Sequence, residues 1–366
     1  MARGRKTLGS RLQRLWTRRS CLAAALALAM PAAATSSPIH RIVAIGDLHG
    51  DFSAWRDIVR SAQLVDEDGR WVGGEAVLVQ TGDVVDRGPD SLKIIQDLMR
   101  LQQEAERVNG RIIAVVGNHE AMNVTGDFRY VSAGDYAAFA DSRSAQRREN
   151  VYLANKKALE TVYRQRDPQM TGDAVKRAWF EANPLGSIEH RIAWEPKGTI
   201  GRWIVGNPAV VLLDGTLFVH GGISPAYAKL PIAEINALVR AALIARATDP
   251  QSIIHDPKGP LWYRGLAIST ADTVQSPITD KLKAAAASEQ VELPINDQLE
   301  GVLFAYGAKR IVIGHTPALS GIAMLFDGRL IRIDTGISRV YGGKVSYLDI
   351  LDGNPVAHVV ERSSHQ

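Results

Sequence analysis

Apolar residues along this chain are gathered into short runs, each followed within a few residues by glycine and a polar side chain. The runs are Ile42-Val43-Ala44-Ile45, Ala76-Val77-Leu78-Val79, Ile112-Ile113-Ala114-Val115-Val116, Leu217-Phe218-Val219 and Arg310-Ile311-Val312-Ile313. Continuous apolar stretches of this length, rich in β-branched residues, predict buried strands. Between the first two, residues 52–63 carry Trp55, Ile58, Val59 and Ala62 at helical spacing. Pro89 is expected to open the next helix, since a first turn tolerates proline, with Ile94, Ile95, Leu98, Met99 and Leu101 as its apolar face. The order β-α-β-α-β predicts neighbouring parallel strands with helices packed on a face.

Residues 121–205 break this rhythm. They are charged and aromatic, with Arg147-Arg148, Lys156-Lys157, Arg164, Arg166 and Lys176-Arg177, and they read as helices (149–165 and 172–182) punctuated by Pro168 and Pro184. The segment is expected to be an insertion lying over a site formed by the rest. Its basic residues suit an acidic or phosphorylated substrate, although solvated helix faces account for most of them. Beyond residue 206 the pattern is β-rich. Asp214-Gly215, Asp327-Gly328 and Asp352-Gly353 each sit between apolar runs, which marks hairpin turns. Helices are expected at 231–247 and 296–307. The whole fits two mixed sheets face to face with helices outside, formed by residues 38–120 and 206–362. Low complexity is confined to the N-terminus and 284–287.

Composition changes the picture only at the N-terminus. The chain of 366 residues has a net charge of +4. Residues 1–34 contain seven Lys/Arg and no acid, and without them 36 basic side chains face 39 acidic ones, a net of −3. The charge therefore gives no reason to expect a nucleic-acid partner. A basic stretch, an apolar run from Cys21 to Met30 and small residues at Ala32-Ala33-Ala34 have the layout of a cleavable export signal. The run is shorter than the ~20 residues of a bilayer span, so no stable membrane anchor is expected after cleavage. Arg18-Arg19 in Thr17-Arg18-Arg19-Ser20-Cys21-Leu22 resembles a twin-arginine signal, and a bacterial periplasmic location is expected. Cys21 is the single cysteine.

The candidate chemistry lies at the strand ends. Asp47 and His49 in Gly46-Asp47-Leu48-His49-Gly50-Asp51 are two residues apart, so an extended backbone turns both to one side, where they can reach one metal ion. Further stretches follow in order: Gly82-Asp83-Val84-Val85-Asp86-Arg87-Gly88, Gly117-Asn118-His119-Glu120, His220-Gly221-Gly222 and Gly314-His315-Thr316-Pro317. Asp, His, Asp, Asn, His and His collected from five strand ends build a site for two metals. This order resembles the metallophosphoesterase (calcineurin-like) superfamily. The Asp86-Arg87-Gly88 and Gly117-Asn118-His119-Glu120 forms resemble its phosphoprotein phosphatase family. The resemblance covers residues 42–336 and implies the αββα sandwich.

It also implies roles. Asp47 and His49 bind a first metal, Asp83 bridges, and Asn118, His220 and His315 bind a second; an oxygen and imidazole shell suits manganese, iron or zinc. Metal-activated hydroxide attacks the phosphate ester, and His119, no ligand itself, protonates the leaving group with Asp86 on its other ring nitrogen. Arg87 contacts phosphate oxygens through its planar fork, and Arg264 in Pro260-Leu261-Trp262-Tyr263-Arg264-Gly265 is the candidate for a second phosphate arginine. Asp51 reads equally as a helix cap or a site residue, Glu120 as a brace for the loop. Trp262 and Tyr263 flank Arg264 or belong to the core, and His40, His190, His255, His358 and His365 are expected on the surface or in the core.

A single histidine in Gly314-His315-Thr316-Pro317, in place of Gly-His-x-His, favours monoesters. The Ser-Ala-Pro-Asn-Tyr-Cys loop of eukaryotic Ser/Thr phosphatases is absent; Asp334-Thr335-Gly336-Ile337-Ser338-Arg339-Val340-Tyr341-Gly342-Gly343 stands there instead. With the insertion and Trp262-Tyr263-Arg264-Gly265, this resembles the Shewanella-like protein phosphatase branch. The expected function is a metal-dependent phosphomonoesterase acting on phosphoprotein or small phosphate esters. The alternatives are cleavage of dinucleoside polyphosphates and, from another class, a phospho-ligand or metal-binding module without turnover.

Overall fold

The computed structural model describes residues 39–267 and 294–363. The export-type segment, the linker 35–38, the run 284–287 and His365 lie outside them. The first half runs β1 (Arg41–Ile45), α1 (Phe52–Ser61), β2 (Val77–Gln80), α2 (Ser91–Glu106), β3 (Arg111–Ala114) and α3 (Asn118–Thr125). Helices α4 (Ala133–Ala138), α5 (Ser144–Arg166), α6 (Gly172–Ala182), α7 (Ser187–Trp194) and α8 (Thr199–Gly206) follow. Then come β4 (Val210–Leu213), β5 (Thr216–Val219), α9 (Ile232–Ala245), the helix Ile295–Tyr306, β6 (Arg310–Ile313), β7 (Ala323–Leu325), β8 (Leu330–Arg332), β9 (Ser346–Leu351) and β10 (Asn354–Val359).

Two five-stranded mixed sheets result, ordered β10-β9-β1-β2-β3 and β4-β5-β6-β8-β7. In the first, β1, β2 and β3 are parallel neighbours, as the β-α-β-α-β rhythm requires, and β9 closes antiparallel on β1. In the second, β5, β6 and β8 are parallel, with β4 and β7 antiparallel at the edges.

The two-residue period of the strands divides their side chains between two cores. Ile42, Ala44, Val77 and Val79 from one sheet meet Phe218, Val312 and Ile331 from the other in the layer between the sheets. The alternate residues Val43, Ile45, Leu78, Leu217, Val219, Ile311 and Ile313 join Trp55, Ile58, Ile94, Leu98 and other helical residues in the outer core. Strands covered on both faces are why the sequence shows unbroken apolar runs rather than alternation. A fully buried aliphatic side chain of this kind contributes about 1.5–3 kcal/mol.

The Asp-Gly turns match expectation. Asp214, Asp327 and Asp352 have φ of 44°, 56° and 49°, and the glycines after them 76°, 77° and 80°, the left-handed pair that a tight hairpin needs. Three expectations need correction. Pro89 does not open α2: the Asp90 amide donates to Gly50 O (3.1 Å), which holds both residues in the loop, and the helix starts at Ser91 with Asp90 as N-cap. The expected boundary at residue 121 falls inside α3, so the residues linking catalytic part and insertion form one rigid helix. Helix α5 begins at Ser144, ahead of the expected 149. Basic residues of the insertion are used within it: Arg147 of α5 pairs with Asp141 and Glu189, and Lys176 of α6 with Glu149.

Candidate active site

The loops that leave the C-terminal ends of β1, β2, β3, β5 and β6 converge, because parallel strands in one sheet present those ends along a common edge. The glycines in the motifs make room. A Cβ on Gly314 would stand 2.5 Å from Asp47 Oδ1, and one on Gly117 2.4 Å from Asp83 Oδ1. The loops are also strained. His49, Asp83, Asp86, Arg87 and His315 all have positive φ, from 43° to 70°, a conformation that non-glycine residues adopt at a cost and mainly where function demands it.

Asp83 is the centre of the site and is 2% exposed. Its Oδ1 accepts the His119 amide (2.9 Å) and lies 3.3 Å from His220 Nε2. Its Oδ2 lies 3.8 Å from both His49 Nε2 and His119 Nε2. Backbone carbonyls orient the imidazoles: His49 Nδ1 donates to Val85 O and His220 Nδ1 to Thr81 O, each at 2.9 Å. With Nδ1–H so engaged, Nε2 of a neutral ring turns a lone pair inward. His220 Nε2 then faces Asn118 Oδ1 at 2.8 Å as well as Asp83. Three acceptors on one point are satisfied by a cation. His315 Nε2 is buried with no hydrogen-bond partner among the described residues.

Donor atoms close enough for a metal form two groups that share Asp83: His49-Asp83-His119 and Asp83-His220-His315. The second unites three expected ligands. The first includes His119, expected as a non-ligand, and leaves out Asp47. The Asp47 carboxylate instead accepts the His315 amide through both oxygens (3.2 and 3.1 Å), which places it beside the second group.

Burial and the neighbouring Asp334 and Asp83 push the Asp47 carboxyl well above its ordinary range. Burial, with Asp83 nearby, raises Glu120 to about 7; burial also dominates the rise of Asp334 to about 6. Burial opposes ionisation of Asp83 too, but His220, His119 and His49 together hold it well below the carboxylate range. Burial and the neighbouring His119 drop His49 to about 3, and burial with Arg264 nearby keeps His315 neutral. Crowded carboxylates beside neutral imidazoles are the donor set that divalent cations neutralise, since uncompensated buried charge is costly. The residues present therefore fit the metals that the resemblance implies.

His119 and His220 behave differently from His49 and His315. Burial would lower both, but Asp83 raises each of them, and His119 has in addition a 2.6 Å bond from its Nδ1 to Asp86 Oδ2. Asn123 Nδ2 donates to the other Asp86 oxygen (2.9 Å) and to His119 O (3.0 Å). Arg87 Nη2 stands 3.4 Å from His119 Nε2. Arg264 Nη1 donates to His315 O (2.9 Å) and Thr316 Oγ1 (2.8 Å), so it is tied to the β6 loop at the edge of the site. Trp262 packs edge-on against His315 at 5.6 Å, whereas Tyr263 is buried.

Glu120 accepts the amides of Asp83, Val84 and Gly117, which joins two site loops as a brace. Asp51 resolves as a helix cap, taking the Ala54 amide at 3.1 Å. His40 pairs with Asp352 at the surface, His255 meets Ala247 O, and His358 stacks on Tyr347. His190 is buried among Phe128, Tyr136, Phe139 and Trp194. Asp334, Asn123, Tyr130 and Tyr341 escaped the reading of the sequence as site residues. For Asp334 the signal was present, a strand followed by Ile333-Asp334-Thr335-Gly336; the other three lie in stretches that resemble the branch (Ala121-Met122-Asn123, Gly126-Asp127-Phe128-Arg129-Tyr130-Val131 and the run to Gly343), which gave them no role of their own.

Residues 40–319 match the family model described as calcineurin-like phosphoesterase. The chain is 34% identical over 309 residues to Shewanella-like protein phosphatase 2 of Arabidopsis thaliana, covering 82% of this chain and 72% of that protein. It is 31% identical over 319 residues to an uncharacterized protein of Schizosaccharomyces pombe, covering 84% and 76%. Among solved structures, the cold-active protein-tyrosine phosphatase of a psychrophile Shewanella sp. superposes with a TM-score of 0.60 at 22% identity, covering 88% of this chain and 81% of that one.

Proposed function

The chain belongs to the calcineurin-like phosphoesterase family, and from that premise we propose that it is a metal-dependent phosphomonoesterase of the Shewanella-like protein phosphatase kind. The observation that carries this reading is Asp83, whose two oxygens face imidazoles on opposite sides while its neighbours supply an acid and a guanidinium. Asp47, His49 and Asp83 would hold one cation; Asp83, Asn118, His220 and His315 the other. When bound, two such ions activate a water and clamp phosphoryl oxygens. Manganese, iron and zinc all suit the donors.

The chain's own residues do the rest. Arg87 offers its N–H groups to the phosphate oxygens and offsets their charge. His119, with Nδ1–H on Asp86, holds a proton at Nε2 for the departing oxygen. Asn123 keeps the Asp86 carboxylate turned toward His119. Arg264, anchored to the His315 loop, is the candidate for a second phosphate contact. The relatives named as protein phosphatases support a phosphoprotein substrate, with small phosphate esters as further candidates. Residues 1–34 support export of the enzyme, which N-terminal sequencing of secreted protein tests.

Hydrolysis of para-nitrophenyl phosphate in manganese, abolished by chelation and restored by metal, is the deciding experiment. A panel of phosphotyrosine, phosphoserine, phosphothreonine, nucleotides and sugar phosphates then assigns the substrate. Nucleotide release from a dinucleoside polyphosphate with phosphopeptides untouched overturns the monoester reading.

A further inference from the structure

We propose that Tyr130 and Tyr341 form an aromatic bracket that positions the Arg87 guanidinium for an incoming phosphate. The proposal rests on the phosphatase reading of this site. The Arg87 guanidinium carbon lies 4.7 Å from the Tyr130 ring centroid and 5.2 Å from that of Tyr341. The two tyrosines come from unrelated places, Tyr130 between α3 and α4, Tyr341 in the loop after β8. Each also packs a site imidazole: Tyr130 against His119 at 5.0 Å and Tyr341 against His49 at 5.4 Å. The Arg87 amide donates to Tyr130 O (2.9 Å), so that contact is fixed through backbone as well as ring.

The bracket answers a question of charge. Arg87 directly follows the buried Asp86, yet among the described residues it makes no ion pair, and its Nε is buried without a hydrogen-bond partner. A guanidinium free to swing would settle on Asp83 or Asp86 and be lost to the substrate. Ring faces attract it through their quadrupoles without using its N–H donors, so the fork remains available for a planar pair of oxygens. Neither tyrosine hydroxyl has a hydrogen-bond partner among the described residues, which leaves the ring faces as the working part.

The test is binding of inorganic phosphate to the manganese-loaded protein, measured by calorimetry, beside KM and kcat for phosphoserine peptide. Phosphate has no leaving group, so direct stacking of a substrate ring on the tyrosines does not contribute. Tyr130→Leu and Tyr341→Leu are each expected to weaken phosphate binding about three- to tenfold, the range of such contacts, and to raise KM more than they lower kcat. Tyr130→Phe and Tyr341→Phe are expected to bind as the parent does. Tyr341→Met supplies a longer, more adaptable apolar replacement should the leucine variant not fold. In an Arg87→Asn background, where asparagine accepts the positive φ, the leucine changes are expected to add nothing. Parent-like binding by both leucine variants, loss in the phenylalanine variants, or an undiminished loss in the Arg87→Asn background overturns the bracket, as does a parent protein that binds no phosphate. A parent that binds phosphate but hydrolyses no ester removes the proposed activity, while calorimetry still reads the bracket.

Discussion

The backbone amide of His315 donates to both carboxylate oxygens of Asp47, across 268 positions of sequence. The contact joins the loop after β1 to the loop after β6, and so one sheet to the other, beside the candidate metal group of Asp83, His220 and His315. It needs Gly314, because any Cβ there would press on the Asp47 carboxylate.

Gly314→Ala is therefore expected to lose metal as well as activity. Displacing a group that orients ligands typically weakens metal affinity about 10–100-fold. Metal content after dialysis, measured against circular dichroism as a control for folding, checks it. A variant with full metal occupancy and normal turnover contradicts the account of this join.

His119→Ala separates acid from ligand. If His119 serves only as the general acid, the variant keeps its full metal content, and turnover of a poor leaving group such as phosphoserine falls by about 10²–10⁴. If His119 completes the group with His49 and Asp83, metal stoichiometry falls as well. Full turnover of phosphoserine ends the acid assignment.

His190 makes acid stability testable. Burial among aromatic rings, with Arg191 beside it, lowers it from 6.5 to about 3. The unfolded chain takes up a proton near pH 6.5, which the folded chain refuses until about pH 3. Stability from this group is complete above pH 6.5 and declines as pH falls toward 3, at about 1.4 kcal/mol per unit. The thermal midpoint is expected to drop less over this interval in His190→Gln. Parallel curves for the two proteins count against a neutral, buried His190.

Asp51 ties three segments together. Besides capping α1 it accepts the Arg339 amide and Arg362 Nη1, each at 2.9 Å. Asp51→Ala is expected to cost about 0.5–2 kcal/mol for the cap alone, and somewhat more because the half-buried Arg362 loses its partner. Metal stoichiometry should not change. Urea unfolding gives the first quantity and metal analysis the second; a stable protein that has lost its metal returns Asp51 to the list of site residues.

Much of this was legible in one dimension. Buried parallel strands are covered on both faces, so Ile42–Ile45, Ile112–Ala114 and Ile311–Ile313 announce themselves as apolar runs. The glycine and polar residue after each run are bound to it by chain connectivity, which is why Asp47, His49, Asp83, Asn118, His220 and His315 stand out in order. Asp-Gly turns depend on two adjacent residues and need no partner elsewhere. Long-range packing leaves no such trace. That Asp47 holds the His315 amide, that Asn123 aims Asp86, and that the rings of Tyr130 and Tyr341 flank Arg87 were decided by which loops the two sheets bring together. A side chain's role there depends on neighbours hundreds of positions away, and only the folded chain supplies them.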